Sequence, residues 1–139
     1  MAMDQQCPCG SGNALADCCG PVISGTRAAE TAEMLMRSRY SAYVLGAVDY
    51  LRTSWHPATR PVIIELGEPV NWLGLKIIAT RDGGRGEDQG TVEFVARYKI
   101  AGRAYRLHEI SRFQRVAGRW VYVTGEPGRS DSRAKAAGN

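Results

Sequence analysis

The sequence predicts an α+β fold, with helices first and a curved antiparallel sheet after them, and three observations predict it. All four cysteines lie between positions 7 and 19, apolar residues then recur every three to four positions, and a two-residue alternation fills the second half. The chain has 139 residues, 44% hydrophobic and 23% charged. That suits one ordinary soluble core and excludes a disordered or fibrous protein. The apolar runs Trp72 to Leu75 and Ile77 to Thr80 fall far short of the roughly 20 residues a bilayer span requires. No membrane association is expected. The opening MAMDQQCPCG has neither a basic n-region nor an apolar h-region, so a cytoplasmic location is expected.

Cys7, Cys9, Cys18 and Cys19 would staple only one short loop if they formed disulfides. Four soft sulfur donors instead suit a closed tetrahedral zinc site, structural because no position is left for a substrate. Reactive or redox-regulated thiols are the alternative. Gly10 and Gly12 allow tight turning, and Asn13 is placed to cap one helical turn through Ala14 to Ala16. Gly20 and Pro21 are expected to stop that turn just after Cys18 and Cys19. With little apolar content besides Leu15, this stretch draws its folding free energy from the metal.

Residues 31 to 45 read as an amphipathic helix. Ala32, Leu35, Met36, Tyr40, Tyr43 and Val44 share one side, with Arg37, Arg39 and Ser41 on the other. Thr31 is the expected N-cap, Glu33 complements the dipole, and Gly46 ends the helix. A shorter helical segment passes through Tyr50 and Leu51 and stops at Ser54, because His56 precedes Pro57. Pro61 and Pro69 bracket a loop or edge segment.

From Trp72 to Thr124 the pattern is that of strands. Val92, Phe94, Ala96 and Tyr98 alternate with Glu93, Val95, Arg97 and Lys99, and Tyr105 to Phe113 and Arg119 to Thr124 behave alike. Ala101-Gly102 and Ala117-Gly118 mark turns. The glycine-rich residues 82 to 90 read as a mobile hairpin loop, since they lack the Gly-Lys-Ser/Thr ending of a phosphate loop. The chain thus divides into three units: a zinc knuckle over 1–25, an α+β domain over 26–126, and a disordered basic tail over 127–139.

The segment CPCGSGNALADCC resembles the SEC-C motif, the zinc-binding module at the C-terminus of the secretion motor SecA, at Cys7, Cys9, Ser11, Cys18 and Cys19. The last ligand position is Cys here, where some members have His. The later segments MLMRSRYSAYVLGAVDYL, SWHPATRP, WLGL, GTVEFVARY, LHEISRF and GRWVYV give the chain, from about Cys7 to Glu126, a sequence that resembles the YchJ family of bacterial proteins. The resemblance implies a zinc module followed by a cone-shaped domain of the nuclear transport factor 2-like fold. It implies no reaction.

A cone can enclose a cavity, and strand parity places Glu109 and Ser111 on the apolar face with Tyr105, Leu107 and Phe113. Burial would raise the Glu109 pKa into the range of a general acid or base, while a structural ion pair with Arg37 or Arg39 is the plainer role. His108 points to the opposite face, and His56 is the histidine that could meet Glu109 across the cavity. Tyr40 and Trp120 complete the pocket candidates, with the remaining aromatics as core or cavity wall. No catalytic set stands out, so the leading expectation is a zinc-containing binding or adaptor protein whose knuckle contacts a protein or ribosomal partner. A small ligand in the cone cavity, with Glu109 or His56 as acid or base, is the second. Residues 96 to 139 hold ten basic and three acidic side chains, yet aromatics are not interleaved with them, which disfavours direct nucleic-acid binding.

Overall fold

The computed structural model describes residues 5–64, 66 and 70–128. A 3-10 turn, Leu15–Asp17, leads to α1 (Cys19–Ser24), α2 (Ala32–Leu45) and α3 (Val48–Thr53). Beyond them run four strands, β1 (Asn71–Asp82), β2 (Gln89–Ile100), β3 (Arg103–Val116) and β4 (Arg119–Pro127), in one antiparallel sheet of order β1-β2-β3-β4. Among the described residues no helix is long and apolar enough to cross a membrane.

Local chemistry sets the bounds of α2. The Thr31 hydroxyl accepts the Met34 N–H at 3.1 Å, Glu33 sits in the first turn, and Gly46 closes the helix at φ 74°. Such a cap contributes about 1 kcal/mol. Helix α3 ends before Ser54, as its sequence predicts. In β2 the predicted face is the buried one, with Val92, Phe94, Ala96 and Tyr98 against the helices. Both Ala-Gly pairs take positive φ, 51° and 81° at Ala101-Gly102 and 52° and 80° at Ala117-Gly118, so each makes a two-residue hairpin.

Three expectations change. Ala14, not Asn13, precedes the first turn, and Gly20 and Pro21 lie inside α1 rather than ending it. Proline is tolerated there because the first helical turn has no acceptor for its N–H in any case. Helix α2 is not amphipathic: Ser38, Arg39 and Ser41 are as buried as Leu35, Met36 and Tyr40. The cysteine segment covers Arg37 and Ser41, while Leu51, Ser54, Trp55 and Tyr122 cover Arg39.

The hairpin loop after β1 is also anchored. Arg115 donates to the carbonyls of Arg85 at 2.7 Å and Glu87 at 2.9 Å, and the Ala32 N–H donates to Gly83 O at 2.9 Å. A Cβ at Gly83 would lie 2.8 Å from that of Ala32, so glycine permits this docking. Strand β4 extends to Pro127, and Gly128 is buried with its N–H on His108 O at 2.8 Å. The tail from residue 129, and Pro69 of the bracketed segment, lie outside the described residues.

Candidate metal centre and sheet pocket

Residues 5 to 15 fold back on themselves. Leu15 N donates to Gln5 O at 2.8 Å and Cys7 N to Asn13 O at 2.9 Å, with Gly10 and Gly12 at φ 80° and 89°. Cys7 and Cys9 lie on one arm, and Cys18 and Cys19 arrive where the 3-10 turn meets α1. The four Sγ atoms lie within 4.8 Å of one another, and all four cysteines are buried free thiols. The Cys9 to Cys18 separation is 3.7 Å. A sulfur tetrahedron around zinc with Zn–S near 2.3 Å has edges of about 3.8 Å, so the spacing fits.

The surroundings suit thiolates. Ser11 Oγ lies 3.2 Å from Cys18 Sγ, and Ser41 Oγ lies 3.5 Å from Cys7 Sγ. Arg37 donates to Cys9 O at 2.9 Å, reaches Cys9 Sγ at 3.7 Å, and pairs with Glu33 at 2.9 Å. Hydrogen bonding from Cys19, with help from Ser11 and Arg37, holds the Cys9 thiol at about 4, well below its ordinary value. The bond to Cys9 and burial push Cys19 up, and burial leads the upward push on Cys18. A bound dication would favour the remaining thiolates and supply cross-linking of the segment. These sulfurs belong to the same buried cluster as Leu35, Tyr40, Val92 and Phe94.

On the other side of α2 a cavity of ≈ 180 Å³ opens against the sheet. Arg39, Tyr40 and Tyr43 line it from the helix, Trp55 from beyond α3, and Trp72, Leu107, Glu109, Ser111 and Tyr122 from the strands. Arg39 is only 4% exposed. Its Nη1 donates to Leu51 O at 2.9 Å and Ser54 Oγ at 2.7 Å, and its guanidinium carbon lies 5.0 Å from the Trp55 ring centre and 4.7 Å from that of Tyr122. Glu109 is half-buried and accepts from Ser111 Oγ at 2.8 Å. Burial raises its pKa, opposed by Ser111 and by the Arg39 charge. Burial likewise pushes the Tyr40 and Tyr122 hydroxyls up to about 12.

Strand parity therefore places Glu109 and Ser111 in the pocket, and the helical spacing places Tyr40 there. His56 does not join them. It follows Trp55 in a loop, its Nδ1 accepts from Ala58 N at 2.9 Å, and it is absent from the pocket lining. Trp120 also lies elsewhere, with its Nε1 on Glu30 O at 3.2 Å and Arg115 over its ring. Glu109 makes no ion pair with Arg37 or Arg39 among the described residues, and Arg39 acts on it only through space. His108 bonds Glu93 at 2.7 Å on the opposite face of the sheet. The sequence signal for Arg39 was its spacing: it stands three residues after Met36 and four after Leu35, within the apolar stripe.

The model of the YchJ middle domain, described as nuclear transport factor 2-like, matches residues 31–125, and that of the SEC-C motif matches residues 5–21. The chain belongs to the YchJ family. A UPF0225 protein of Chromobacterium violaceum is 51% identical over 123 residues, spanning 86% of this chain and 90% of its own. One of Streptomyces coelicolor is 50% identical over 120 residues, spanning 86% and 94%. A SEC-C motif containing protein from Rhodopseudomonas palustris, solved in solution, has TM-score 0.79 and 36% identity over 90% of this chain and all of its own. A crystal structure of such a protein from Psychrobacter arcticus has TM-score 0.74 and 26% identity over 95% and 88%. The YchJ-family fold here is thus the nuclear transport factor 2-like one, with its SEC-C cysteines gathered against α2.

Proposed function

We propose that this YchJ-family chain binds a small molecule in the pocket between α2 and the sheet, while Cys7, Cys9, Cys18 and Cys19 hold one structural zinc. The observation that carries this reading is Arg39, a deeply buried cation without a direct ion pair among the described residues, sharing a cavity with the half-buried Glu109. A merely structural arginine at that depth would normally be paired. The pocket volume exceeds the roughly 150 Å³ of a cavity known to hold one benzene ring, so a six-membered ring with a polar substituent fits. Arg39 and Glu109 would orient the polar group, and the tyrosines and tryptophans would enclose the ring.

A knuckle that contacts a protein or ribosomal partner is supported only by likeness to SEC-C modules elsewhere. Among the described residues its exposed side chains, including Gln5, Gln6, Asn13 and Asp17, are polar or small and supply no apolar anchor for an interface. The test is native mass spectrometry of the full chain beside its denatured mass. One zinc plus a small mass lost on denaturation is expected, and Ala96→Leu, at a buried β2 position in the pocket wall, should lose the small mass and keep the zinc. A chain carrying zinc alone, with no Glu109-dependent binding in a fragment screen read by tryptophan fluorescence, would remove the proposal.

A further inference from the structure

A second concavity, of ≈ 230 Å³, lies where the segment after α1 meets α3 and the start of β4. Three arginines from three places in the chain border it: Arg27 after α1, Arg60 after α3 and Arg119 at the first position of β4. Trp55 and Trp120 form part of its wall, and no carboxylate is among the residues that line it. None of the three guanidiniums has an ion pair among the described residues. Among the described residues Arg27 and Arg60 each donate their side chains only to a backbone carbonyl, Asp17 O at 3.4 Å and Trp55 O at 3.3 Å, which orients them without neutralising them. Glu30, whose carbonyl accepts the Trp120 N–H, has its carboxylate engaged by Arg85 at 2.6 Å. The buried Trp55 Nε1 reaches no acceptor among the described residues.

We propose that this cleft binds a phosphate monoester, the three guanidiniums receiving the dianionic head and the indoles flanking the group that carries it. Three cations around one hollow repel each other, and a dianion relieves more of that repulsion than a single carboxylate does. The guanidinium fork matches phosphoryl oxygens. The site stands apart from the sheet pocket, with Trp55 as a wall common to both.

Isothermal titration of the full zinc-loaded chain with phenyl phosphate, benzoate and a single-stranded oligonucleotide tests this. Phenyl phosphate should bind at least tenfold more tightly than benzoate. The double variant Arg60→Gln, Arg119→Gln should weaken it at least tenfold, and Arg60→Lys, Arg119→Lys should fall between, having charge without the fork. Arg97→Gln, on the exposed part of β2, should change it less than twofold, and circular dichroism confirms that each variant folds. Equal affinity for benzoate, or an equal loss in Arg97→Gln, overturns the proposal. So does oligonucleotide binding that is tighter than phenyl phosphate and falls steeply with salt, which would mark a nucleic-acid surface instead.

Discussion

Helix α2 carries two arginines two residues apart, and each serves a different region. Arg37 faces the cysteine cluster, where it meets Glu33, a carbonyl and a sulfur. Arg39 faces the sheet pocket, where among the described residues it has two hydrogen bonds, two aromatic faces and no carboxylate partner. Residues at that spacing project from nearly opposite sides of a helix, so the width of α2 separates the regions. The cluster is closed, with four converging donors of one kind. The pocket is mixed, with unlike polar groups around a space. Convergence of like donors suits a metal that never leaves, whereas mixed groups around a cavity suit something that exchanges.

The strongest way to break this comparison is to open the closed side. Cys19→Ser should leave less than one zinc per chain by elemental analysis and destabilise by roughly 3 kcal/mol or more, part of the ~10–16 kcal/mol that zinc binding supplies to small finger peptides. Retention of zinc and of thermal stability in that variant would deny the cluster its structural role. On the open side, Arg39→Met should cost about 2–3 kcal/mol in urea unfolding, because Ser54 and the Leu51 carbonyl lose a buried donor. An unchanged midpoint would mean the cation is dispensable. Arg37→Gln should leave the fold intact and weaken zinc retention about tenfold in competition with a chelator, as removal of a group supporting a ligand does.

The smallest effect carries a sign. Burial raises the Glu109 pKa above the ordinary 4.5, so the folded chain keeps this proton to higher pH than the unfolded chain. The carboxyl favours folding below the ordinary value and opposes it as pH rises through the raised one. Glu109→Gln should therefore stabilise at pH 7 by under about 1 kcal/mol, with the gain vanishing below pH 4.5. Thermal melts across that range check it, and a loss of stability at pH 7 would reverse the assignment.

The sequence reveals the elements that local chemistry determines. Thr31 and Gly46 delimit α2, the Ala-Gly pairs place two hairpins, and alternation puts Glu109 and Ser111 inward, because caps, turns and parity act within a few residues. The burial of Ser41 is hidden for the opposite reason. Whether a polar residue on a helix meets solvent depends on what packs there, and the cysteine segment that covers Ser41 lies more than twenty residues away in the chain. His56 and Trp120 could not be excluded by type alone. A loop position has no parity, and Trp120 sits near the start of β4, paired with Arg115 rather than with the pocket residues of β3. Glycine inside the first turn of α1 reads like an end signal, although a neighbouring proline is at home there.

The cluster also has a history within each molecule. Cys7 to Cys19 precede Arg37, Ser41 and Leu75, and Gly10 sits against the Leu75 carbonyl. During synthesis at about 5–20 residues per second, the thiols emerge seconds before the residues that enclose them. For that interval four sulfurs destined for the interior are open to ions, oxidants and one another. Metal captured then would be sealed in by the helix and strand that arrive later, so the order of translation itself favours loading before closure.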